Sequence, residues 1–188
     1  MDLIKEAAKF KIEVSEKANE NLEKYAQMML RYNEFMNLTA ITEPDEIREK
    51  HFLDSITLLL SEKLREGCSL IDIGAGAGFP SIPVKIVRED ICLTMLDSLN
   101  KRINFLNDVV KEIGLKDAKA IHMRAEEGGK NKDLREKFDI ATARAVADLA
   151  VLSEYALPFV KVGGYSLGWG KGDGRVLKNH YPKGLRIK

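Results

Sequence analysis

Three glycines at alternate positions are the residues whose spacing indicates chemistry most directly. Gly74, Gly76 and Gly78 follow a short, largely apolar run, residues 70–73, that is typical of a strand buried on both faces. Glycine accepts positive φ angles and lets a ligand approach the backbone without meeting a Cβ atom. A strand, a glycine turn and the N-terminus of a helix together form a corner that binds nucleotides. The alternative is a tight turn that binds no ligand.

An acidic residue at the end of the next strand-like run supports the ligand-binding interpretation. Asp97 follows the apolar residues 91–96 and lies 23 positions after Gly74. An acid at this place can accept hydrogen bonds from both hydroxyls of a ribose. Dinucleotide folds carry Gly-x-Gly-x-x-Gly, whereas the third glycine position here is Phe79, which could stack on a base or fill the loop. The predicted ligand is therefore S-adenosylmethionine rather than NAD.

The remaining candidate residues follow the third and fourth predicted strands. In parallel sheets the ligand lies across the carboxyl ends of the strands, where Ala125, Glu126 and Arg144 are expected. Glu126 could accept a hydrogen bond from an adenine amine or be a solvated loop acid. Arg144 could hold a ligand carboxylate or an RNA phosphate. Its alternative role is a structural ion pair with Asp97, Glu126 or Asp148.

These residues need an alternating series of strands and helices to bring them together. The sequence predicts strands at 70–73, 91–96, 118–123, 138–143 and 165–169, and helices at 81–88, 100–113 and 145–157. Such alternation is typical of an α/β fold with a largely parallel sheet and right-handed crossovers. We predict a helical N-terminal extension over 1–65, a ligand-binding domain over 66–170 and a basic tail over 171–188.

The N-terminal part contains a helix with one apolar stripe, which is most simply core. Its members recur at three- and four-residue spacing: Leu22, Tyr25, Met29, Tyr32 and Met36. Residues 37–41 break this helix, and Thr42 begins a capping-box pattern for a second helix that ends near Leu64. His51 and Asp54 lie on one side of the second helix, where they could form a general base. A local hydrogen bond that fixes packing is the preferred interpretation.

Composition indicates an ordinary soluble globular protein. The 188 residues are 45% hydrophobic and 31% charged, and the formal net charge of +1 does not by itself indicate a nucleic-acid partner. The chain has no run of 18 apolar residues and no signal-peptide pattern, so no membrane span or secretion is predicted. Cys68 and Cys92 are predicted to be buried thiols in a reducing cytoplasm rather than a disulfide or a metal pair. We expect a cytoplasmic protein without a metal and, as the default, a monomer.

Five segments are more specific than a glycine turn. They are 37–41 (NLTAI), 51–55 (HFLDS), 72–80 (DIGAGAGFP), 96–102 (LDSLNKR) and 142–145 (TARA). In this order the segments resemble the RsmG (GidB) family of bacterial methyltransferases. Members of that family methylate ring nitrogen seven of one guanine in 16S ribosomal RNA.

The resemblance implies a Rossmann-like class I methyltransferase fold, with helices on both faces of the sheet and an N-terminal helical extension. It also implies S-adenosylmethionine as the cofactor, with contacts at Gly74, Phe79, Ala125, Glu126 and Arg144. The implied partner is 16S ribosomal RNA or the small ribosomal subunit. Arg144 is the candidate catalytic residue. Together with the residues derived above, the candidate cofactor-binding set is Gly74, Gly76, Gly78, Phe79, Asp97, Ala125, Glu126 and Arg144.

The C-terminus departs from the family pattern. After Gly164 the resemblance gives way to a glycine-rich, basic segment, and the family's final antiparallel pair of strands is predicted to be missing or altered. The alternative function is therefore a catalytically impaired RNA-binding or ribosome-assembly module that keeps the glycine corner. Lys101, Arg102 and the basic tail 171–188 are candidate phosphate contacts, against the alternative of solvated surface charge. The missing third glycine disfavours an NAD-dependent oxidoreductase.

Overall fold

A six-stranded sheet carries the strand ends at which the candidate residues lie. The computed structural model describes residues 1–144, 154–169 and 176–180. Its strands are β1 Ser69–Ile73, β2 Cys92–Asp97, β3 Ala118–His122, β4 Phe138–Arg144, β5 Val160–Trp169 and β6 Val176–His180. Their order across the sheet is β3-β2-β1-β4-β5-β6. Strands β1 to β5 are parallel and β6 is antiparallel to β5, so the predicted α/β fold with a largely parallel sheet is confirmed.

Strand β1 lies at the centre of the sheet because its apolar side chains cover both faces. Leu70, Ile71 and Ile73 are at most 1% exposed. Leu70 joins the core beneath the N-terminal helices, whereas Ile71 and Ile73 join a second core on the opposite face. The strand order reverses between β1 and β4, and parallel sheets open a crevice at such a point, outside the carboxyl ends of the strands.

The helices cover the sheet and supply its N-terminal extension. They are α1 Leu3–Lys9, α2 Glu16–Met36, α3 Pro44–Glu46, α4 Asp54–Ile56, α5 Ser81–Val87, α6 Asn100–Ile113 and α7 Ala125–Gly128. A π-helical segment, Ile47–Leu53, joins α3 to α4, and a 3-10 turn, Thr57–Leu60, follows α4. The second predicted helix is therefore an irregular helical segment. Short π-helical stretches are frequent at functional sites.

Tyr25 of α2 connects the N-terminal helices to the glycine corner. Its buried ring lies 5.8, 5.4 and 6.4 Å from the rings of Phe52, Phe79 and Phe105, respectively. These separations fall within the favoured range for aromatic pairs. The Tyr25 hydroxyl donates a hydrogen bond to the carbonyl oxygen of Ala77. Because an unpaired buried hydroxyl is costly, this bond fixes where α2 sits relative to the corner.

Details of the N-terminal half differ from the sequence predictions. The capping box at Thr42 is wrong: the residue that caps α3 is Glu43, whose side chain makes no capping bond. The helical segment ends at Leu60 rather than near Leu64. Cys68 is buried as expected, but Cys92 is exposed. Cys92 is the first residue of β2, where the strand enters the sheet from the surface.

The C-terminal edge of the sheet also differs from the sequence predictions. The family's final antiparallel strands, predicted to be missing or altered, are represented here by β6, which pairs with β5 from Tyr165↔His180 to Trp169↔Val176. Part of the predicted basic tail therefore belongs to the sheet. Of the predicted helix 145–157, residues 145–153 lie outside the described residues. The division of the chain into three parts stays a prediction.

Candidate functional site

The glycine corner has the backbone that its sequence predicts. Gly74, Gly76 and Gly78 have φ angles of +67°, +60° and +94°, which residues with a Cβ atom rarely adopt. The corner is tied to the neighbouring strand, because the amide of Gly76 donates to Asp97 Oδ2 at 2.8 Å and the amide of Ala75 donates to the carbonyl of Leu96 at 3.0 Å. The end of β2 therefore fixes the turn that follows β1.

The glycines of this corner have different physical reasons to be glycine. A Cβ atom on Gly76 would meet only the Gly74 carbonyl oxygen, at 3.8 Å, so the space beside Gly76 is open. A Cβ atom on Gly78 would lie 2.5 Å from Ile82 Cγ1 and 3.0 Å from Leu106 Cδ2. Gly78 faces the packed helices and lines neither of the two cavities at the strand ends. Packing therefore gives its own reason for a glycine at this position, and the cofactor-binding role of Gly78 stays a prediction.

Asp97 stands at the carboxyl end of β2, as predicted, and supports the corner. Its side chain is 2% exposed. Oδ1 accepts from the amide of Leu99 at 2.9 Å, and Oδ2 accepts from the amide of Gly76 and from Arg102 Nη1, the latter at 3.4 Å. A carboxylate has about four lone-pair positions, so Asp97 keeps capacity for a further donor.

Two adjoining cavities form a cleft along the strand ends. The first, which we call the β2–β3 cavity, includes Gly74, Asp97, Ala125 and Glu126 in its lining. Tyr155, which the sequence predictions did not include, also lines it. The negative charge of Glu126 raises the Tyr155 pKa, so the phenol and the carboxylate lie near each other. Glu126 is exposed at the rim of this cavity.

The second cavity, which we call the β1–β4 cavity, shares Gly74, Asp97 and Ser98 with the first. It is also lined by Gly76, Phe79 and Arg102, and by three residues that come from distant parts of the chain: Thr39, His51 and Arg144. The two cavities meet over Gly74. A ligand longer than one cavity can therefore occupy both.

Arg144 ends β4, as predicted, and its guanidinium is fixed by three bonds. Nη2 donates to His51 Nδ1 at 3.0 Å, and Nη1 donates to Asp54 Oδ2 at 3.2 Å and to the carbonyl of Lys50 at 3.4 Å. The guanidinium also lies 4.9 Å from the centre of the Phe79 ring. The predicted alternative of an ion pair with Asp97 or Glu126 is wrong, since the acidic partner is Asp54. Asp148 lies outside the described residues.

His51 is held in one protonation state by its surroundings. The residue is 7% exposed, and its ring stacks on Phe79 with centres 4.3 Å apart and planes 15° apart. Burial, and then the positive charge of Arg144, lower the His51 pKa to about 4. The predicted local bond between His51 and Asp54 is not formed; both side chains contact Arg144 instead. His51 and Arg144 cover Phe79, which is 6% exposed and fills the loop.

Asp72, two residues before Gly74, is a buried carboxyl that the sequence predictions did not single out. It is fully buried, and the hydroxyl of Ser81 donates to its Oδ2. Its Oδ1 has no hydrogen-bond partner among the described residues. Burial raises the Asp72 pKa to about 7, because the charged form is costly in an apolar interior.

The fold and the corner define the class of protein. A glycine turn after the central strand, an acid after the next strand and a crevice at the β1–β4 reversal are the parts of a Rossmann-like nucleotide site. A crystal structure of an S-adenosylmethionine-dependent methyltransferase from Aquifex aeolicus has a TM-score of 0.51 to this chain and 22% sequence identity. The alignment covers 76% of this chain and 73% of that one. The fold is that of the class I methyltransferases.

The sequence identifies the family within this class. Residues 18–174 match the GidB family, described as rRNA small subunit methyltransferase G, and the chain belongs to that family. The protein named ribosomal RNA small subunit methyltransferase G from Clostridium perfringens strain 13 is 51% identical over 164 residues, which cover 87% of this chain and 69% of the relative. A protein of the same name from Clostridium botulinum strain Eklund 17B is 53% identical over 154 residues, or 82% of this chain and 64% of that relative. The chain spans about two thirds of the length of these relatives.

The residues present fit the cofactor of this class. Open space beside Gly76 and the spare acceptor capacity of Asp97 suit a ribose, and the carboxylate of Glu126, which lines the β2–β3 cavity, suits an adenine amine. Among the described residues, no cluster of three or more metal-ligating side chains is present. Within the same ranges, no helix combines the length and apolarity that crossing a bilayer requires.

Proposed function

We propose that this chain transfers a methyl group from S-adenosylmethionine to ring nitrogen seven of a guanine in 16S ribosomal RNA. Membership of the family and the names of the relatives, which specify small-subunit ribosomal RNA, support the substrate. The single structural observation that carries the proposal is the cleft over Gly74, which joins an acidic cavity to one that contains a fixed arginine. The comparisons favour this enzyme over a non-catalytic RNA-binding module.

The state of the imidazole in the β1–β4 cavity agrees with this substrate. The cofactor supplies an electrophilic methyl group on a sulfonium. In the reaction a bond forms from the guanine nitrogen lone pair to the methyl carbon, the sulfur–methyl bond breaks, and no proton has to be removed. Among the described residues of the β1–β4 cavity, His51 is the only imidazole, and its Nδ1 lone pair is filled by Arg144. Positioning the reactants and excluding water are then the main tasks of the protein.

The described residues divide these tasks. Gly76 and Asp97 would hold the ribose, and Ala125 and Glu126 would contact the adenine. Arg144 would orient the amino-acid end of the methyl donor, since a fixed guanidinium binds a carboxylate at two points. Its attachment to His51 and Asp54 keeps that guanidinium in place before any ligand binds.

Methyl transfer to undermethylated small-subunit RNA tests the proposal. Purified protein is incubated with methyl-labelled cofactor and either naked 16S ribosomal RNA or small subunits that lack the modification. We expect label in the RNA, and chain scission by borohydride and aniline at the labelled nucleotide, which is diagnostic of 7-methylguanosine. The matched control is an RNA carrying 7-deazaguanine at the modified position, because it lacks only the attacked nitrogen. Binding of RNA without label transfer would instead support the non-catalytic module, and transfer to the deaza substrate would contradict the proposed atom.

A further inference from the structure

Thr39 occupies a fixed position at the rim of the β1–β4 cavity. It belongs to the loop after α2, and the side chain of Asn33 holds its backbone at two points. Asn33 Nδ2 donates to the Thr39 carbonyl at 3.0 Å, and the Thr39 amide donates to Asn33 Oδ1 at 2.9 Å. Thr39 is partly buried and lines the cavity beside His51 and Arg144. A loop residue held this way presents its hydroxyl in a defined direction.

The hydrogen atoms of this network follow from counting donors and acceptors. Arginine only donates, so His51 Nδ1 must accept from Arg144. A neutral imidazole then carries its proton on Nε2, which lies 2.8 Å from Thr39 Oγ1 and must donate to it. The amide of Ile41 donates to the same oxygen at 3.0 Å. Both lone pairs of the Thr39 hydroxyl are therefore filled.

The Thr39 O–H is consequently a donor without an acceptor in the described part of the chain. The chain of bonds from Arg144 through His51 to Thr39 has one direction, and the positive charge at its origin polarises each successive donor. Such a hydroxyl suits an anionic acceptor inside the cavity.

We infer that Thr39 is a cofactor-binding residue whose hydroxyl donates to the carboxylate of S-adenosylmethionine. This inference rests on the proposed function. If Asp97 and Glu126 hold the adenosyl group, the rest of the cofactor extends past Gly74 into the β1–β4 cavity, where Thr39 and Arg144 lie. The sequence motif at 37–41 then serves the methyl donor, although it lies outside the Rossmann-like part of the chain.

Calorimetry with two ligands tests this role without any RNA. S-adenosylhomocysteine carries the carboxylate, whereas 5′-methylthioadenosine shares the adenosine and sulfur but lacks it. We expect Thr39→Val to weaken S-adenosylhomocysteine binding about 10- to 100-fold, which is typical of a lost hydrogen bond to a charged group, and to leave methylthioadenosine binding within about twofold. Thr39→Ser keeps the hydroxyl and should bind both ligands much as the parent does.

Other outcomes overturn the inference. Equal weakening of both ligands by Thr39→Val would mean a general distortion of the loop, and no weakening of either would mean that the hydroxyl faces another group, such as an oxygen of the guanine. Thermal melts of each variant identify misfolding, and Thr39→Ala allows the same comparison if Thr39→Val does not fold. A parent protein that binds neither ligand would overturn the proposed function itself, which separates that failure from this one.

Discussion

The two cavities of the cleft are built in different ways. In the β2–β3 cavity, Asp97 ends β2, and Ala125 and Glu126 begin α7 soon after β3 ends, so each strand end supplies its own side chains. In the β1–β4 cavity, Arg144 is held by His51 and Asp54, which lie 93 and 90 residues earlier in the chain. The first cavity is a product of local structure. The second exists only when the N-terminal helices are docked on the sheet.

This difference predicts how the site fails. A change in the β2–β3 cavity should weaken the cofactor in proportion to the contact removed. A change in the β1–β4 cavity should disturb several bonded side chains together, because networks are not sums of independent pairs. Variants at Gly76, Asp97 and Arg144 separate these behaviours, and the expected effect decreases in that order.

The largest effect is expected for Gly76→Val. A branched side chain would occupy the open space beside Gly76 in the β1–β4 cavity and would be strained at the φ of +60° found there. We expect calorimetry to detect no binding of S-adenosylmethionine, while circular dichroism shows a largely intact fold. Gly67→Val is the matched control: Gly67 has a φ of +66°, and a Cβ atom added there would meet nothing within 4 Å, but it lies away from the cleft. Equal affinity of the Gly76→Val variant and the parent would remove the corner from the site.

Asp97→Ala should produce the next largest effect. Loss of a charged acceptor costs roughly 1.5–3 kcal/mol, so the cofactor dissociation constant should rise about 10- to 100-fold. Asp139→Ala is a suitable control, because Asp139 makes comparable bonds, accepting from the Ser69 amide and hydroxyl at 2.9 and 2.6 Å, at the start of β4. If both variants keep the parent's affinity, the ribose role of Asp97 is wrong.

Arg144→Lys examines the second cavity. Lysine keeps the charge but loses the planar fork that bonds His51 and Asp54 together. We expect the single-turnover rate of methyl transfer to fall about tenfold more than the affinity for the cofactor. An interaction that orients the methyl donor acts mainly in the transition state, whereas a contact made equally before and during the reaction would change affinity alone. Arg88→Lys removes a similar fork, paired with Asp90 at 2.7 and 2.8 Å, away from the cleft and should keep the parent's rate. A normal rate with a lowered melting temperature would leave Arg144 a purely structural role.

The pH dependence of stability should contain two opposing contributions. The His51 pKa falls from 6.5 to about 4 on folding, so the unfolded chain binds the extra proton and stability drops as the pH falls through this window. The Asp72 pKa rises from 3.8 to about 7, so the folded chain keeps a proton and stability drops as the pH rises through that window. Where the windows overlap, the two slopes, each at most about 1.4 kcal/mol per pH unit, should nearly cancel.

Substituting either His51 or Asp72 should reveal the contribution of the other residue to the pH dependence of stability. The free energy of unfolding can be measured by urea titration at about pH 4.5 and about pH 6.5. Relative to the parent, the His51→Gln variant should gain stability at about pH 4.5 compared with about pH 6.5. The Asp72→Asn variant should gain stability at about pH 6.5 compared with about pH 4.5. Identical pH profiles for the parent and both variants would show that neither group titrates on folding.

The smallest effect concerns RNA. Lys101 is exposed at the start of α6, next to the cleft, and Lys116 is exposed just beyond the end of the same helix. If Lys101 contacts a phosphate, Lys101→Ala should reduce the slope of log affinity against log salt by about 1, while Lys116→Ala should not change it. Equal slopes in all three proteins would assign Lys101 to solvated surface charge.

The sequence predicted the local parts of this site better than the distributed ones. Asp97 and Arg144 stand at strand ends because apolar runs and glycines mark where buried strands stop. The bond between His51 and Arg144 left no comparable signal, because a histidine on a helix has many possible partners and the true one is distant in sequence. For Gly78 the sequence signal has a second explanation. Its spacing fits a ligand-binding pattern, but the side chains around it also require a glycine for packing.

Helix α2 touches the site twice, through Tyr25 at the glycine corner and through Asn33 at the Thr39 loop. These two attachments are eight residues apart, or about 12 Å along the helix axis. Inserting or deleting one residue between them would rotate one attachment by about 100° relative to the other, so both could not be satisfied. The helix therefore fixes the distance and the angle between the glycine corner and the Thr39 loop. Substitutions on its outer face should be tolerated, whereas the number of residues between Tyr25 and Asn33 should not vary among active relatives.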